Sequence, residues 1–448
     1  MSSSLDTLES ALHAAKRYGA TACDAVLFES IDISHSCRLG KPEGLERSES
    51  KALGLRAFVG AQQAIVSTTD LSQAALSEAA ERAVAMARLT PADPDARLAE
   101  PALYPKTIPE LDLYDADEPA ASWFQENCRK AEEAALATPG IMNSEGAEAH
   151  YNASRISLAI AGSGGVDFAQ SYPSSHFSLS VSVLAGSGTQ MERDYDYSSV
   201  RWQQDLAAPE TIGCEAARRA LARLNPRKIS TCEVPVVFDP RVGKQLVGII
   251  AGAASGASVA RGASFLKDSL GKTIASKELR ITDEPHRRRG LGSRPFDGEG
   301  VAGKTLSLVE DGVLKSWLLD VRSASKLGMT TTGHASRGVA AAPSPSSTNL
   351  YMESGTASPA ELIADVQSGF YVTETFGMGV NMVTGDYSQG AAGFWIEKGE
   401  IAYPVSEITI AGRLQDMLIN LTPASDLVFR YATNAPTFVI SRMTVAGA

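Results

Sequence analysis

The sequence contains few residues that could bind a transition metal or form disulfides. It has six histidines and five cysteines among 448 residues. A zinc site needs three or four such ligands, and a disulfide framework needs cysteines in even number. The cysteines are odd in number, widely spaced and without a CxxC pair, at positions Cys23, Cys37, Cys128, Cys214 and Cys232. This pattern predicts reduced thiols in a cytoplasmic protein.

An excess of basic charge and a long apolar run are also missing. Lys and Arg number 41 against 52 Asp and Glu, a net charge of −11, which argues against nucleic acid or an anionic membrane as partner. The uncharged run 168–191 is rich in serine and broken by Pro173, and the run 245–260 is too short to span a bilayer. The first six residues lack the basic start and apolar core of a secretory signal. We therefore expect a cytoplasmic protein without a membrane segment.

Hydrophobic residues make up 44% of the sequence, which is enough for a sizeable core. Helical and alternating patterns follow one another along the chain, which predicts an α+β fold of mainly antiparallel sheets flanked by helices. We expect two domains, residues 1–228 and 229–448. Six prolines within the segment 89–119 exclude a continuous helix or a central strand there, so it is expected to be an extended linker or to follow the surface.

Individual elements can be placed from periodicity and turn residues. Helices are predicted near residues 5–18, 71–88, 120–137, 206–224, 242–260, 358–368 and 413–421. Strands are predicted at 25–28, 53–59, 63–67 and 234–239, with a meander over 149–184. Asp311-Gly312 and Lys398-Gly399 have the composition of tight hairpin turns.

Four short motifs suggest chemistry but have better structural explanations. The segment 298–305 matches GxxxxGK[ST], but an alternating strand pattern follows it where a phosphate-binding loop needs a helix. Ser388 nearly matches GxSxG, but Asp386 stands where the strained elbow needs a small residue. The basic cluster 286–289 is most simply a solvated loop. His35 and Cys37 are too few for a zinc site, so a buried or half-buried strand pair is the better interpretation.

Three glycines recur at helical spacing in the predicted helix 242–260. Gly248, Gly252 and Gly256 would place only hydrogen atoms on one face, allowing close approach of another backbone or a flat ligand. Each costs about 1 kcal/mol relative to alanine inside a helix. Their repetition therefore predicts a packing requirement on that face.

The block from Gly379 to Gly412 resembles the C-terminal signature of the TldD/PmbA family. The segments 292–301, 348–351 and 47–68 fit the same family, and the resemblance extends over essentially the whole chain. It implies a cytoplasmic peptidase built from two related subunits, TldD and TldE (PmbA). In the catalytic subunit a His-Glu-x-x-x-His helix and a later cysteine hold the metal, and the glutamate acts as general base.

This chain departs from the family's metal motif at every position. Alignment of the strand 234–239 and its following helix places Gly248, Ile249 and Ala253 where the ligands and base would stand. A shift by one residue gives Ile249, Ile250 and Ala254, which are no better as ligands, and no cysteine follows Cys232. The chain thus resembles the TldE (PmbA) branch, and the resemblance implies no metal and no other cofactor.

The leading hypothesis is a non-catalytic subunit that processes unfolded peptides together with a TldD-type partner in a heterodimer. The polar turn residues Asn381, Thr384, Asp386 and Tyr387 are candidates for contacting peptide substrate, with scaffolding as the equal alternative. Peptide held as an added strand needs an exposed sheet edge, which the β-rich second half could supply. Two other readings stay open: an independent, homodimeric peptidase with an unrecognised site, and a non-enzymatic adaptor or regulator of the partner.

Overall fold

A computed structural model describes residues 3–188, 190–377 and 379–447. It confirms an α+β fold. The first sheet is built wholly from residues 22–200, in the order β3-β2-β1-β4-β5-β6, and every pair in it is antiparallel. Its strands are β1 Ala22–Arg38, β2 Lys41–Val59, β3 Gln62–Thr68, β4 Ile141–Gly162, β5 Gly165–Ser187 and β6 Gln190–Val200.

Helices cover one face of this sheet. They are α1 Ser4–Arg17, α2 Gln73–Ala87, α3 Ala121–Leu136 and α4 Pro209–Ala222. Because successive side chains of a strand point to opposite faces, Leu27 packs in the core beneath α1 and α2, and Ile33 in the core beneath α3 and α4. Val26 faces the other way and packs with Phe296 and Val301 from the second half of the chain.

The first strands are much longer than the sequence indicated. The β1–β2 hairpin turns at Leu39 and Gly40, both with positive φ, and pairs as far as Ala22 with Phe58. Residues 41–51 are almost all exposed, so this half of β2 has no buried face. Because apolar and polar residues do not alternate in residues 41–51, the hydrophobic pattern could not predict a strand there.

The second half contains one small sheet, a two-stranded ribbon and a closed barrel. The elements are β7 Cys232–Phe238, α5 Pro240–Ala253, α6 Gly256–Ala260, β8 Ile281–Asp283, β9 Leu306–Glu310, β10 Val313–Leu314, α7 Val321–Lys326, β11 Ala335–Ser336, β12 Ser344–Pro345, β13 Leu350–Met352, α8 Pro359–Ala364, β14 Ser368–Phe376, β15 Asp386–Glu397, β16 Glu400–Arg413, α9 Leu414–Ile419, β17 Leu421–Pro423, β18 Thr433–Asn434 and β19 Phe438–Ala446.

The barrel follows the order β16-β15-β14-β7-β19 and closes where β16 pairs with β19. Its core includes Phe238 and Phe438, whose rings stack with centroids 4.8 Å apart. The predicted turns at Asp311-Gly312 and Lys398-Gly399 are confirmed, with positive φ at all four residues as tight hairpins require. The division of the chain near residue 229 into two domains stays a prediction.

The predicted helix 242–260 is wrong in one respect, because it is two helices. The chain becomes extended at Ser255, which forms a bridge with Leu318. Gly256 N donates to Leu318 O at 2.8 Å, and Leu318 N donates to Ala254 O at 3.0 Å. These tertiary hydrogen bonds replace the helical ones, so Gly256 is not on the same helix as Gly248.

The proline-rich segment 89–119 follows the surface, which was one of the two expectations. Apart from a short 3₁₀ turn at Pro101–Leu103 it is irregular. It is held by main-chain hydrogen bonds to three distant segments. Leu103 O accepts from Ala302 N, Leu111 O from Arg289 N and Leu113 O from Ser175 N.

A buried ionic network joins the two halves of the chain. Asp24 on β1 pairs with Arg56 on β2 and, at 2.6 Å, with Arg337 from the loop after β11. The three side chains are between 1% and 4% exposed. Burial by itself would raise the pKa of Asp24, but the two guanidinium groups outweigh it and hold that pKa below its usual value.

A second buried carboxyl near this network is expected to make stability depend on pH. Burial and then the neighbouring Asp297 raise the pKa of Glu299 from 4.5 to about 8. Between these values the folded state keeps a proton that the unfolded state loses, so stability falls as pH rises and stops falling above about pH 8. We expect Glu299→Gln to flatten this fall in urea denaturation between pH 5 and pH 8. The exposed control Glu43→Gln should keep the wild-type slope, and equal slopes in all three proteins would contradict the assignment.

Candidate functional site

Helix α5 carries the three positions, Gly248, Ile249 and Ala253, at which the sequence alignment expects the family's metal motif. Asp239 caps its first turn by accepting from Arg241 N at 2.8 Å, and Pro240 suits the first helical position. Its apolar face is buried in the core of the second half, through Val242, Leu246, Val247, Ile250 and Ala253. The sequence therefore fixes which face of α5 remains outside.

The outer face of α5 has two positions without a side chain, Gly248 and Gly252. Gly248 is exposed, and apart from its own helical backbone no atom of the described residues lies within 4 Å of the place where its Cβ would stand. At Gly252 the nearest such atom is the terminal methyl of Met382, at 3.4 Å. By contrast, a Cβ on Gly256 would lie 2.4 Å from Leu319 Cδ2. The expected close packing on the glycine face is thus wrong for Gly248 and correct only for Gly256.

The polar turn 379–386 lies against this outer face. Met382 reaches Gly252, and its main-chain oxygen accepts from Phe265 N at 2.8 Å. Val383, at the tip of the turn, is 58% exposed. The structure therefore brings the glycine face and the signature turn together, although they are more than a hundred residues apart in sequence.

Three of the four predicted substrate-binding residues are exposed but hydrogen-bond mainly to one another. Asn381 Oδ1 accepts from the main-chain N–H groups of Val383 and Thr384, at 2.9 and 3.2 Å. Thr384 Oγ1 donates to Asp386 Oδ2 at 2.5 Å. These bonds stabilise the turn itself, which favours the scaffolding alternative for Asn381, Thr384 and Asp386.

The fourth residue, Tyr387, points into the core. It is 5% exposed, and its hydroxyl donates to Gln389 Oε1 at 3.4 Å. Burial raises its pKa. In this conformation its side chain is separated from the exposed side of the turn, since alternate residues of β15 face opposite ways.

The three positions that the sequence alignment assigns to the family's metal motif do not converge on one open surface. Gly248 and Ile249 are on the outer side of α5, whereas Ala253 is completely buried. None of the three has a nitrogen, oxygen or sulfur donor in its side chain. Among the described residues, no group of three or more His, Cys, Asp or Glu is arranged to hold a metal ion. The residues at this position do not fit the family's metal.

The other motifs have structural explanations, as expected from sequence. The segment 298–305 leads into strand β9, and Ser388 lies inside β15. In the basic cluster, Arg288 and Arg289 both pair with Asp112. His35 and Cys37 are buried on β1.

Sequence reasoning missed a large cavity beside the first sheet. This β6–α4 groove, about 880 Å³, lies between β6 residues 196–200, the outer side of α4 and residues 429–430. Both signs of charge line it, for example Glu215 with Arg218 and Arg219. β6 is the outer strand of the first sheet, so the groove runs beside a sheet edge. Neither a charge run nor a motif marks these residues in the sequence.

No helix in residues 3–188, 190–377 and 379–447 is long and apolar enough to cross a membrane.

The bare position Gly248 gives a direct stability prediction. Gly248→Ala adds a methyl group where no described residue obstructs it, and alanine is favoured over glycine within a helix by about 1 kcal/mol. We expect urea denaturation to show a gain of about 0.5–1 kcal/mol. The matched change Gly256→Ala should lower stability, because its Cβ would overlap Leu319 and Ser323. A loss at Gly248 as large as that at Gly256 would contradict this picture of the helix.

Three regions of the chain match the domain models of a single protein family. Residues 23–87 match PmbA/TldA metallopeptidase domain 1, residues 126–224 the central domain and residues 231–447 the C-terminal domain. The chain is 40% identical to the metalloprotease PmbA of Escherichia coli O157:H7 over 95% of its own length and 92% of the relative's. It is also 40% identical to a PmbA homologue of Haemophilus influenzae, over 98% and 94% of the two lengths.

Solved structures share the fold. A Bacteroides thetaiotaomicron protein described as a candidate modulator of DNA gyrase superposes with a TM-score of 0.90, at 28% identity over 99% of this chain and 98% of that one. TldE from Thermococcus kodakarensis gives a TM-score of 0.86 at 20% identity, over 97% and 99% of the two chains. At that identity the likeness concerns the fold alone.

Proposed function

Because the chain belongs to the PmbA/TldD metallopeptidase family, we propose that it is the non-catalytic subunit of a two-subunit cytoplasmic peptidase of that family. Its partner is a TldD-type subunit that carries His-Glu-x-x-x-His and the metal. This chain completes the chamber around the partner's active site and positions unfolded peptide. It has no metal of its own.

The observation that carries the proposal is the chemistry of helix α5. The positions that the sequence alignment assigns to the family's ligands and base are Gly248, Ile249 and Ala253. A metal-bound water needs imidazole or thiolate ligands and a nearby base, and these three side chains supply neither. Hydrolysis in the complex therefore depends on groups from another chain.

The outer face of α5 supports a role in contacting that other chain. A glycine in the middle of a helix lowers stability by about 1 kcal/mol. At Gly243 and Gly256 the cost has an internal reason, since Phe438 and Leu319 occupy the space of a side chain. At Gly248 no residue of the described part of the chain occupies it. The absence of a side chain there is useful only to a group from outside, such as partner backbone or peptide.

Peptide can be positioned at the edge of the first sheet. The second half was expected to supply an exposed edge, and this stays a prediction, although β16 and β19 close its barrel through residues 409–411 and 444–446. The outer strand β6 instead borders the β6–α4 groove. An extended peptide added to such an edge is held by main-chain hydrogen bonds, which suits binding of many different sequences.

The independent peptidase remains the second candidate, because the relatives at 40% identity are called metalloproteases. It would need a site unlike the family's helix, in a monomer or homodimer. The third candidate is an adaptor that binds the partner without affecting cleavage.

Metal analysis and peptide cleavage on purified full-length chain separate the three. We expect less than a tenth of an equivalent of zinc and no cleavage by the lone chain, but chelator-sensitive cleavage when a TldD-type partner is added. The partner alone, at equal concentration, is the control for stimulation. One equivalent of zinc with cleavage by the lone chain would favour the independent peptidase. Binding of the partner without stimulation would favour the adaptor.

A further inference from the structure

A half-open cavity lies between the first sheet and the family segment 292–301, away from helix α5. This family-segment cavity has a volume of about 230 Å³. Its apolar wall comes from strands β1, β4 and β5 and from the family segment: Val26, Phe28, Ile156, Leu158, Tyr172 and Phe296. Phe296 packs edge-on against Tyr172, with ring centroids 5.3 Å apart.

Three arginines line the same cavity, and two have buried N–H groups without a partner. The Arg337 side chain is 1% exposed; its Nη1 bonds Asp24, while its Nε and Nη2 have no hydrogen-bond partner among the described residues. Nε of Arg294 is also buried and has no hydrogen-bond partner among the described residues. An unmade hydrogen bond to a buried polar group costs about 1–3 kcal/mol, and more when the group is charged.

Guanidinium groups outnumber carboxylates in the lining, which has Arg201, Arg294 and Arg337 against Asp297. Asp24 is shared by two guanidinium groups, those of Arg56 and Arg337. Arg201 donates to the main-chain oxygens of Ser175, Gly290 and Leu291 and has no described carboxylate within 4 Å. Burial lowers its pKa, as expected for a cation held only by neutral groups.

The carboxylate in the lining, Asp297, is already engaged. Its Oδ1 accepts from the main-chain N–H groups of Glu299 and Val301, each at 2.9 Å. Its Oδ2 accepts from Ala335 N at 2.9 Å. These bonds hold the family segment in place and engage both oxygens of Asp297, so no described carboxylate hydrogen-bonds Nε of Arg294 or Nε and Nη2 of Arg337.

We propose that the family-segment cavity binds an organic carboxylate with an apolar substituent. The carboxylate pairs with the free N–H groups of Arg294 and Arg337, a geometry for which guanidinium is well suited. The apolar wall receives the substituent. A phosphate is polar on all sides and would leave the apolar wall without a contact. The volume of the cavity is below the roughly 300 Å³ or more that is typical of sites for drug-sized ligands. One amino-acid residue is of the right size.

Such a group has two sources: the last residue of a peptide or a free apolar acid. Only the peptide source rests on the proposed function. Binding of the carboxylate itself does not.

Calorimetric titration of the full-length chain tests the site with N-acetyl-leucine, its neutral amide and inorganic phosphate. We expect the acid to bind at least tenfold more tightly than the amide, and phosphate not to bind. Arg294→Gln should weaken binding of the acid at least tenfold. Arg294 is half-buried and forms no ion pair with a described carboxylate, so its loss should leave the chain folded. The exposed Arg261→Gln is the matched control.

Equal binding of acid and amide, binding of phosphate alone, or full affinity in Arg294→Gln would overturn the proposal. Peptides ending in leucine, with a free or amidated C-terminus, then distinguish the sources. Tighter binding of the free-ended peptide identifies the peptide source, and binding of N-acetyl-leucine without that preference identifies the free acid. If the acid binds but no partner restores cleavage, the proposed function fails and this site stands.

Discussion

Replacing Asp24 with alanine is expected to lower the free energy of unfolding by about 3–5 kcal/mol, the usual effect of removing one partner from a buried ion pair. The reason is that Arg56 and Arg337 would remain buried with no carboxylate beside them. Since Arg337 comes from the second half of the chain, the same change should loosen the contact between the first sheet and the family segment. Urea denaturation followed by tryptophan fluorescence measures the loss.

Asp32→Ala is the matched control for this change. Asp32 is on the same strand, but its side chain is 39% exposed and its ionic partner is His150, at 3.6 Å. Surface pairs contribute roughly 0–1 kcal/mol, so the control should lose no more than that. Equal losses in the two variants would contradict the buried network.

The Asp24 network also predicts a response to acid. The pKa of Asp24 is lower in the folded chain than its usual 3.8. Its contribution is therefore complete above about pH 4 and is lost as pH falls below that value through the folded pKa. Asp24→Ala should lack this part of the acid-dependent loss, which the control Asp32→Ala retains.

The second large effect is expected at Gly248. Tryptophan at this position projects from the outer face of α5, where apart from the helical backbone no atom of the described residues lies within 4 Å of its Cβ. The isolated chain should therefore keep its stability. If partner or peptide packs there, the bulky ring should weaken the complex by about 2 kcal/mol or more, the scale of an interface hot spot. That corresponds to at least about a thirtyfold loss of partner-stimulated cleavage at subsaturating concentration.

Ala85→Trp places the same ring on an exposed position of α2 and is the control. It should leave both stability and stimulated cleavage unchanged. Full stimulation by Gly248→Trp would show that the outer face of α5 contacts neither partner nor peptide. Unfolding of the variant would contradict the open space seen around Gly248.

The sequence was informative wherever local chemistry decides the structure. Helices α1 and α2 follow apolar spacing, and the turns at 311–312 and 398–399 follow from residues that accept positive φ. It was misleading wherever distant segments decide. Helix α5 stops before its C-cap residue Ala254 because Leu318 supplies hydrogen bonds there. The residues around position 254 contain no local signal for a helix end.

The candidate site could be predicted only in part for the same reason. The family resemblance in the sequence pointed to positions 248, 249 and 253 of α5 and to the turn 379–386. The structure places the helix and the turn together. The sequence did not indicate that Tyr387 points inwards, since its neighbours Asp386 and Ser388 are exposed. The family-segment cavity depends on Arg201, Arg294 and Arg337, which only the tertiary fold brings together.

The most direct test of the proposed role is a titration of this chain into a fixed amount of TldD-type partner, with the cleavage rate of an unfolded peptide as readout. We expect no cleavage by this chain without the partner and, at fixed partner, a rate that rises with added chain to a plateau at one equivalent. The chelator EDTA should abolish the plateau rate. A rate that is independent of the added chain, or cleavage by this chain with no partner present, would contradict the account.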